Sequence, residues 1–197
     1  MRPFDPDDAS RYPAVIGCDE VGRGALCGPV VVAAVWFDPA AIPRELLGAL
    51  DDSKKLSAKQ REKLFALVMT SSRVAIAANS AARIDQFGIR VMTLDAMCRA
   101  VNRLAIPAPA RIDGVDVPPG LSVEALSVVR GEVSVPQIAA ASVVAKVSRD
   151  RLMSRLALKY SDYGWDSNAG YGTARHLAAL RDHGPTKHHR RSFKPAA

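Results

Sequence analysis

Cysteine is scarce in this chain: Cys18, Cys27 and Cys98 are the only three among 197 residues. Their number is odd and none shows zinc-ligand spacing, so neither a disulfide framework nor a zinc site is encoded, and a reducing cytoplasm suits them. Long apolar runs are missing too. The longest, Pro29 to Phe37, falls far short of a membrane span. Met1 to Pro13 carries Asp5, Asp7 and Asp8 and no apolar stretch, which excludes a secretory signal. There is no internal repeat, low-complexity tract or long linker. These absences leave a soluble, intracellular, single-domain protein.

What is present is a globular composition, 48% hydrophobic and 24% charged. The formal charge of +7 favours a polyanionic partner. Its basic residues crowd the C-terminal segment, where Arg175, Arg181, Lys187, Arg190, Arg191 and Lys194 face only Asp182, and where all four histidines lie. Such a run fits either a solvated surface or a nucleic-acid footprint.

Strands are predicted over Tyr12 to Cys18, Pro29 to Phe37, Arg73 to Ala78, Ala110 to Asp113 and Leu126 to Arg130. The second is apolar on both faces and therefore central. A helix starts at Ser57, where Gln60 completes a capping box, and buries Leu64, Leu67 and Val68. Others run from Val91 to Leu104, stopping before Pro107, and from Ile138 to Tyr160. A last helix follows Thr173 and ends at His183-Gly184-Pro185. An initial hairpin followed by alternating strands and helices gives an α/β fold, a mixed sheet flanked by helices.

The chemistry concentrates at strand ends. Asp19 and Glu20 close an apolar run and precede the turn Gly22-Arg23-Gly24. Paired carboxylates suit hard divalent cations, and a glycine-flanked arginine lets a phosphate approach. Asp113-Gly114 repeats the pattern and converges on Asp19 if their strands are neighbours, although a turn aspartate bonding its own backbone has the same look. Glu132 follows the fifth strand. Ser142, Lys146 and Asp150 form one polar stripe on an otherwise apolar helix, with a local Lys146–Asp150 pair as the simplest explanation. His188-His189 is not a metal site, because adjacent histidines diverge and no cysteine is near.

The blocks Asp19-Glu20-Val21-Gly22-Arg23-Gly24, Asp52-Ser53-Lys54-Lys55-Leu56-Ser57, Asp113-Gly114, Ala140 to Asp150, Gly170-Tyr171-Gly172-Thr173 and His188 to Phe193 occur in order. Together they resemble the signature of ribonuclease HII, over about residues 15 to 194. The resemblance implies a ribonuclease H-like fold with a C-terminal helical extension. It divides the domain into an N-terminal arm (1–13), a catalytic core (14–160) and a basic substrate-binding segment (161–197). It also implies a cytoplasmic endonuclease, expected as a monomer, that acts on RNA–DNA hybrids and on ribonucleotide-containing duplex DNA, the first step of ribonucleotide excision repair.

Mn²⁺ or Mg²⁺ in a two-metal mechanism would be held by Asp19, Glu20, Asp113 and Glu132, with Asp19 bridging. The chain departs from the family at Glu132, where an aspartate is usual, and at Ala169, where a lysine often stands. The Gly22, Arg23 and Gly24 turn would read the ribose 2′-hydroxyl, and Tyr171 would pack on the next deoxyribose. Lys54, Ser142 and Lys146 complete the implied substrate-binding set. Two readings compete: an inert hybrid-binding module, and a junction-resolving nuclease of the same fold that would leave Tyr171 and the turn unexplained.

Overall fold

The computed structural model describes residues 4–50 and 56–193. Five strands form one mixed sheet: β1 (Ile16–Val21), β2 (Val30–Trp36), β3 (Arg73–Asn79), β4 (Ala110–Asp113) and β5 (Ala125–Val128), in the order β3-β2-β1-β4-β5. β1 to β3 pair antiparallel, while β4 joins β1, and β5 joins β4, in parallel. β1 begins later than the sequence suggests and runs on through both carboxylates. Pro13 has no amide to give a ladder, and the neighbouring β4 offers its first partner, Ala110, only at Ile16.

Helices cover both faces. α1 (Arg44–Ala49), α2 (Ala58–Ser71) and α5 (Pro136–Ala157) lie on one side; α3 (Ala81–Phe87) and α4 (Ile89–Leu104) are joined on the other through Gly88. Strand alternation divides the core. Ala33 and Val35 of β2 face α5, whereas Val32 and Ala34 face α4. Phe4 and Tyr12 of the N-terminal arm are also interior, packed edge to face with ring centroids 5.5 Å apart.

The local signals for α2 are realised. The Ser57 amide donates to Gln60 Oε1 at 2.9 Å, and the Gln60 amide donates to Ser57 Oγ at 3.3 Å. α5 is buried almost all round through its first three turns. Each Val or Ile it fully buries stabilises the fold by about 1.5–3 kcal/mol. The helix crosses β1 so closely at Gly17 that a Cβ there would sit 2.1 Å from the Gln137 carbonyl carbon. This contact sets the height of α5 above the sheet. Beyond it, α6 (Trp165–Asn168) and α7 (Ala174–His183) form the C-terminal extension. Among the described residues no helix is long and apolar enough to cross a membrane.

Candidate active site

The register that pairs Cys18 with Ile112 carries the next residues, Asp19 and Asp113, side by side on neighbouring parallel strands. Cys18 belongs to the core under α4, so Asp19 points the other way, towards α5. There its carboxylate accepts the Glu20 amide at 2.7 Å and a hydrogen bond from the Ser142 hydroxyl. Asp113 Oδ1 accepts the Gly131 amide at 2.8 Å. A Cβ at Gly131 would meet Ile138 Cδ1 at 2.4 Å, so a side chain there would have to displace that methyl.

Burial pushes the Asp19 carboxyl well above the usual carboxylate range, and the nearby Glu20 and Asp113 push it further. Glu20 is raised as well, mainly by burial, with Arg23 opposing and Asp113 adding to it. Three carboxylates therefore act on one another. Glu132 stands half-exposed in a single 3₁₀ turn (Gly131–Val133), joined to this group through the Gly131 amide bond to Asp113. Among the described residues no three acidic, histidine or cysteine side chains already stand as a closed metal cage. The donor set is nonetheless all carboxylate oxygen with unrelieved negative charge, the chemistry that hard divalent cations favour.

β1 hands over to the glycine turn directly. Gly22 takes φ +90°, in the left-handed region open to glycine, and the Ala25 amide bonds back to its carbonyl at 3.4 Å. The Arg23 guanidinium is half-exposed and lies 3.6 Å from the Glu20 carboxylate. Nothing lies within 4 Å of the position a Gly24 side chain would take, so its backbone is open. Tyr171 is exposed, and the Arg149 guanidinium lies 5.5 Å from its ring centre. Lys146 is tied to Asp150 at 2.9 Å, the local pair its spacing allows. Lys54 lies outside the described residues.

Residues 16–196 match the sequence model of the family described as ribonuclease HII. The chain belongs to the ribonuclease HII family. A ribonuclease HII of Rhizobium johnstonii is 50% identical over 188 residues, covering 95% of this chain and 80% of the relative. Among solved structures, the ribonuclease H2 of Pyrococcus horikoshii OT3 superposes with a TM-score of 0.79 at 26% identity, covering 93% of this chain and 95% of that one. The ribonuclease HII in a PCNA complex from Archaeoglobus fulgidus gives 0.77 at 28%, covering 94% and 97%. The ribonuclease H-like fold and the enzyme class expected from the sequence hold: ribonuclease HII enzymes are ribonucleases H.

Within this ribonuclease HII chain, the basic C-terminal segment is less solvated than its composition suggests. Arg175, Arg181, Lys187 and Arg191 are exposed, but Arg190, His176 and His189 are buried. Arg190 donates Nε to the Gly28 carbonyl at 3.0 Å and Nη1 to the Arg23 carbonyl at 2.8 Å. Burial, and next the neighbouring Arg149, bring its pKa down to about 10. Residues 188–190 also pair with the loop after β1, through a bridge between Cys27 and His189 and amide bonds at Gly28 and Arg190. The sequence offered no cue for the interior placement of Arg149, one of several charged residues on α5. It offered none for the burial of Arg190, because composition does not distinguish an interior arginine from a surface one.

Proposed function

We propose that this chain is a divalent-metal-dependent endonuclease that hydrolyses the RNA strand of RNA–DNA hybrids. It also cuts 5′ to a single ribonucleotide in duplex DNA, leaving 3′-hydroxyl and 5′-phosphate ends, and so begins ribonucleotide excision repair. One observation carries the reading: Asp19, Glu20 and Asp113 are gathered beside an open glycine turn and an exposed tyrosine.

Asp19, Glu20, Asp113 and Glu132 would hold Mn²⁺ or Mg²⁺. Such ions, when bound, activate water and neutralise charge at the scissile phosphate. The chain's own residues supply the rest. The Glu20 amide and Ser142 hold Asp19, and the Gly131 amide holds Asp113, so these carboxylates enter the reaction already oriented. The open backbone at Gly24 lets a sugar edge approach the Gly22-Arg23-Gly24 turn, and the 2′-hydroxyl is the group that separates RNA from DNA there. Arg23 and Lys54 would meet phosphate, with Lys146 adding positive charge nearby, and Tyr171 would take the following deoxyribose.

The chain acts as a monomer in this reading. The absence of any disulfide among Cys18, Cys27 and Cys98 supports a reducing, cytoplasmic setting. Incubation with Mn²⁺ and a duplex carrying one ribonucleotide tests the activity, and a single nick 5′ to the ribonucleotide is expected. An uncut strand across a range of metals and pH overturns the reading.

A further inference from the structure

Arg149 has no solvent exposure, and the bonds its guanidinium makes are to main-chain carbonyls. Nε donates to Pro29 at 3.0 Å, Nη2 to Cys27 at 2.9 Å and Nη1 to Ala169 at 2.7 Å. The first two acceptors lie on the loop that follows the glycine turn; the third lies two residues before Tyr171. The side chain also touches both ends of the candidate recognition surface. A Cβ on Gly22 would fall 2.2 Å from Nε, and the guanidinium carbon is 5.5 Å from the Tyr171 ring centre.

A second observation marks the Tyr171 end. Ala169 sits at φ +47°, a left-handed conformation that a residue with a side chain keeps only when its surroundings impose it. The Arg149 bond holds the carbonyl of that residue. Gly170 follows at φ +81°, and its own carbonyl accepts the Leu26 amide at 2.9 Å, back on the loop. The loop after the turn and the segment before the tyrosine are therefore fastened to each other by the Arg149 guanidinium as well as by the Leu26–Gly170 amide bond. It is the guanidinium that also packs against Gly22 and the Tyr171 ring.

α5 connects this fastening to the carboxylates. Ser142, which holds Asp19, and Arg149 are seven residues apart, two turns on one helix face and about 10 Å along the axis. A cation buried for packing alone would be better replaced by an apolar side chain. The planar fork with donors in three directions is what the site uses, and lysine does not reproduce it.

We propose that Arg149 is a positioning residue for junction recognition. It fixes the Gly22-Arg23-Gly24 turn and Tyr171 at one separation, so that a ribose at the turn and a deoxyribose at the tyrosine are sensed together. This rests on the activity proposed above. A lone ribonucleotide is always followed by a deoxyribose, so every cut uses both contacts. In a run of ribonucleotides only the last one is, and cuts inside the run do without the tyrosine contact. Loosening Arg149 therefore costs more on the first substrate than on the second.

The test compares wild type and Arg149→Lys with Mn²⁺ on two duplexes, one with a single ribonucleotide and one with a four-ribonucleotide tract. The kcat/KM on the single ribonucleotide is expected to fall at least 10-fold further than on the tract. Equal losses on both, or none, overturn the inference alone. Wild type that cuts neither duplex brings down the activity reading, and the inference with it.

Should Arg149→Lys fail to fold, Gly22→Ala grown with 3-fluorotyrosine decides the matter, with Tyr171 assigned through Tyr171→Phe. The new methyl must displace Arg149, so the Tyr171 fluorine resonance is expected to shift. An unmoved resonance overturns the coupling.

Discussion

His176 Nε2 lies 3.0 Å from Nε2 of His189, and the partners on either side fix both tautomers. His176 Nδ1 faces the Tyr171 carbonyl at 2.9 Å, so it carries the hydrogen. His189 Nδ1 accepts the Thr186 amide at 2.9 Å, so its hydrogen is on Nε2 and points at His176. Trp165 Nε1 donates to His176 Nε2 as well, at 3.1 Å. Every site is used with both rings neutral. A proton on either ring breaks a bond.

Acid should therefore loosen this corner. Burial, and next the neighbouring His176, bring His189 down to about 4, and burial lowers His176. Both folded values lie below the ordinary histidine value of about 6.5, so the unfolded chain binds protons first. The stabilisation is complete above about pH 6.5 and fades as pH falls towards 4. Melting temperature followed by circular dichroism should drop across that window. His189→Gln should flatten the drop, and an unchanged slope refutes the assignment.

The opposite sign holds at Asp19. Its folded pKa is raised by burial, then by Glu20 and Asp113, so its charge costs stability as pH rises through that value. Metal-free Asp19→Asn should melt higher than wild type at neutral pH, by about 2–4 °C for each kcal/mol relieved. It should bind duplex and not cut it. Added Mn²⁺ should raise the melting point of wild type and leave the variant nearly unmoved.

Glu132 is reached from Asp113 through one glycine amide. Glu132→Asp should keep or raise the cleavage rate. Glu132→Ala should lower it by at least about 10-fold, since even groups one step removed from a metal commonly cost that much. Single-turnover rates in Mn²⁺ provide the comparison, and a silent alanine removes Glu132 from the proposed ligand set.

Gly17→Ala should destabilise by about 3 kcal/mol, near the upper end of overpacking costs, because the neighbour it would strike is main chain. Denaturant unfolding measures it. Cleavage should also fall below the melting range, as a displaced α5 takes Ser142 away from Asp19.

Much of this was legible in order along the chain. The ends of α2, α7 and β4 rest on signals within a few residues: a capping box, a threonine cap with a glycine stop, and a short apolar strand before Asp113-Gly114. The meeting of Asp19 with Asp113 was conditional on strands being neighbours, and the parallel pairing of β1 with β4 meets that condition. The short helices α1, α3 and α6 went unread, since four to seven residues carry too little periodicity and are held by tertiary contacts. The interior placement of Arg149, Arg190, His176 and His189 was equally hidden. Their partners are mostly carbonyls and each other, which no residue pattern announces.

The pairing of residues 188–190 with the loop after β1 also orders events during synthesis. The carbonyls of Arg23 and Gly28 find their arginine partner only when Arg190 arrives, some 160 residues after the loop itself was made. A ribosome-bound chain can close its sheet early but not its recognition loop. A product truncated before His188 would thus keep Asp19 and Asp113 side by side on β1 and β4 while the loop after β1 lacked the bonds that hold it.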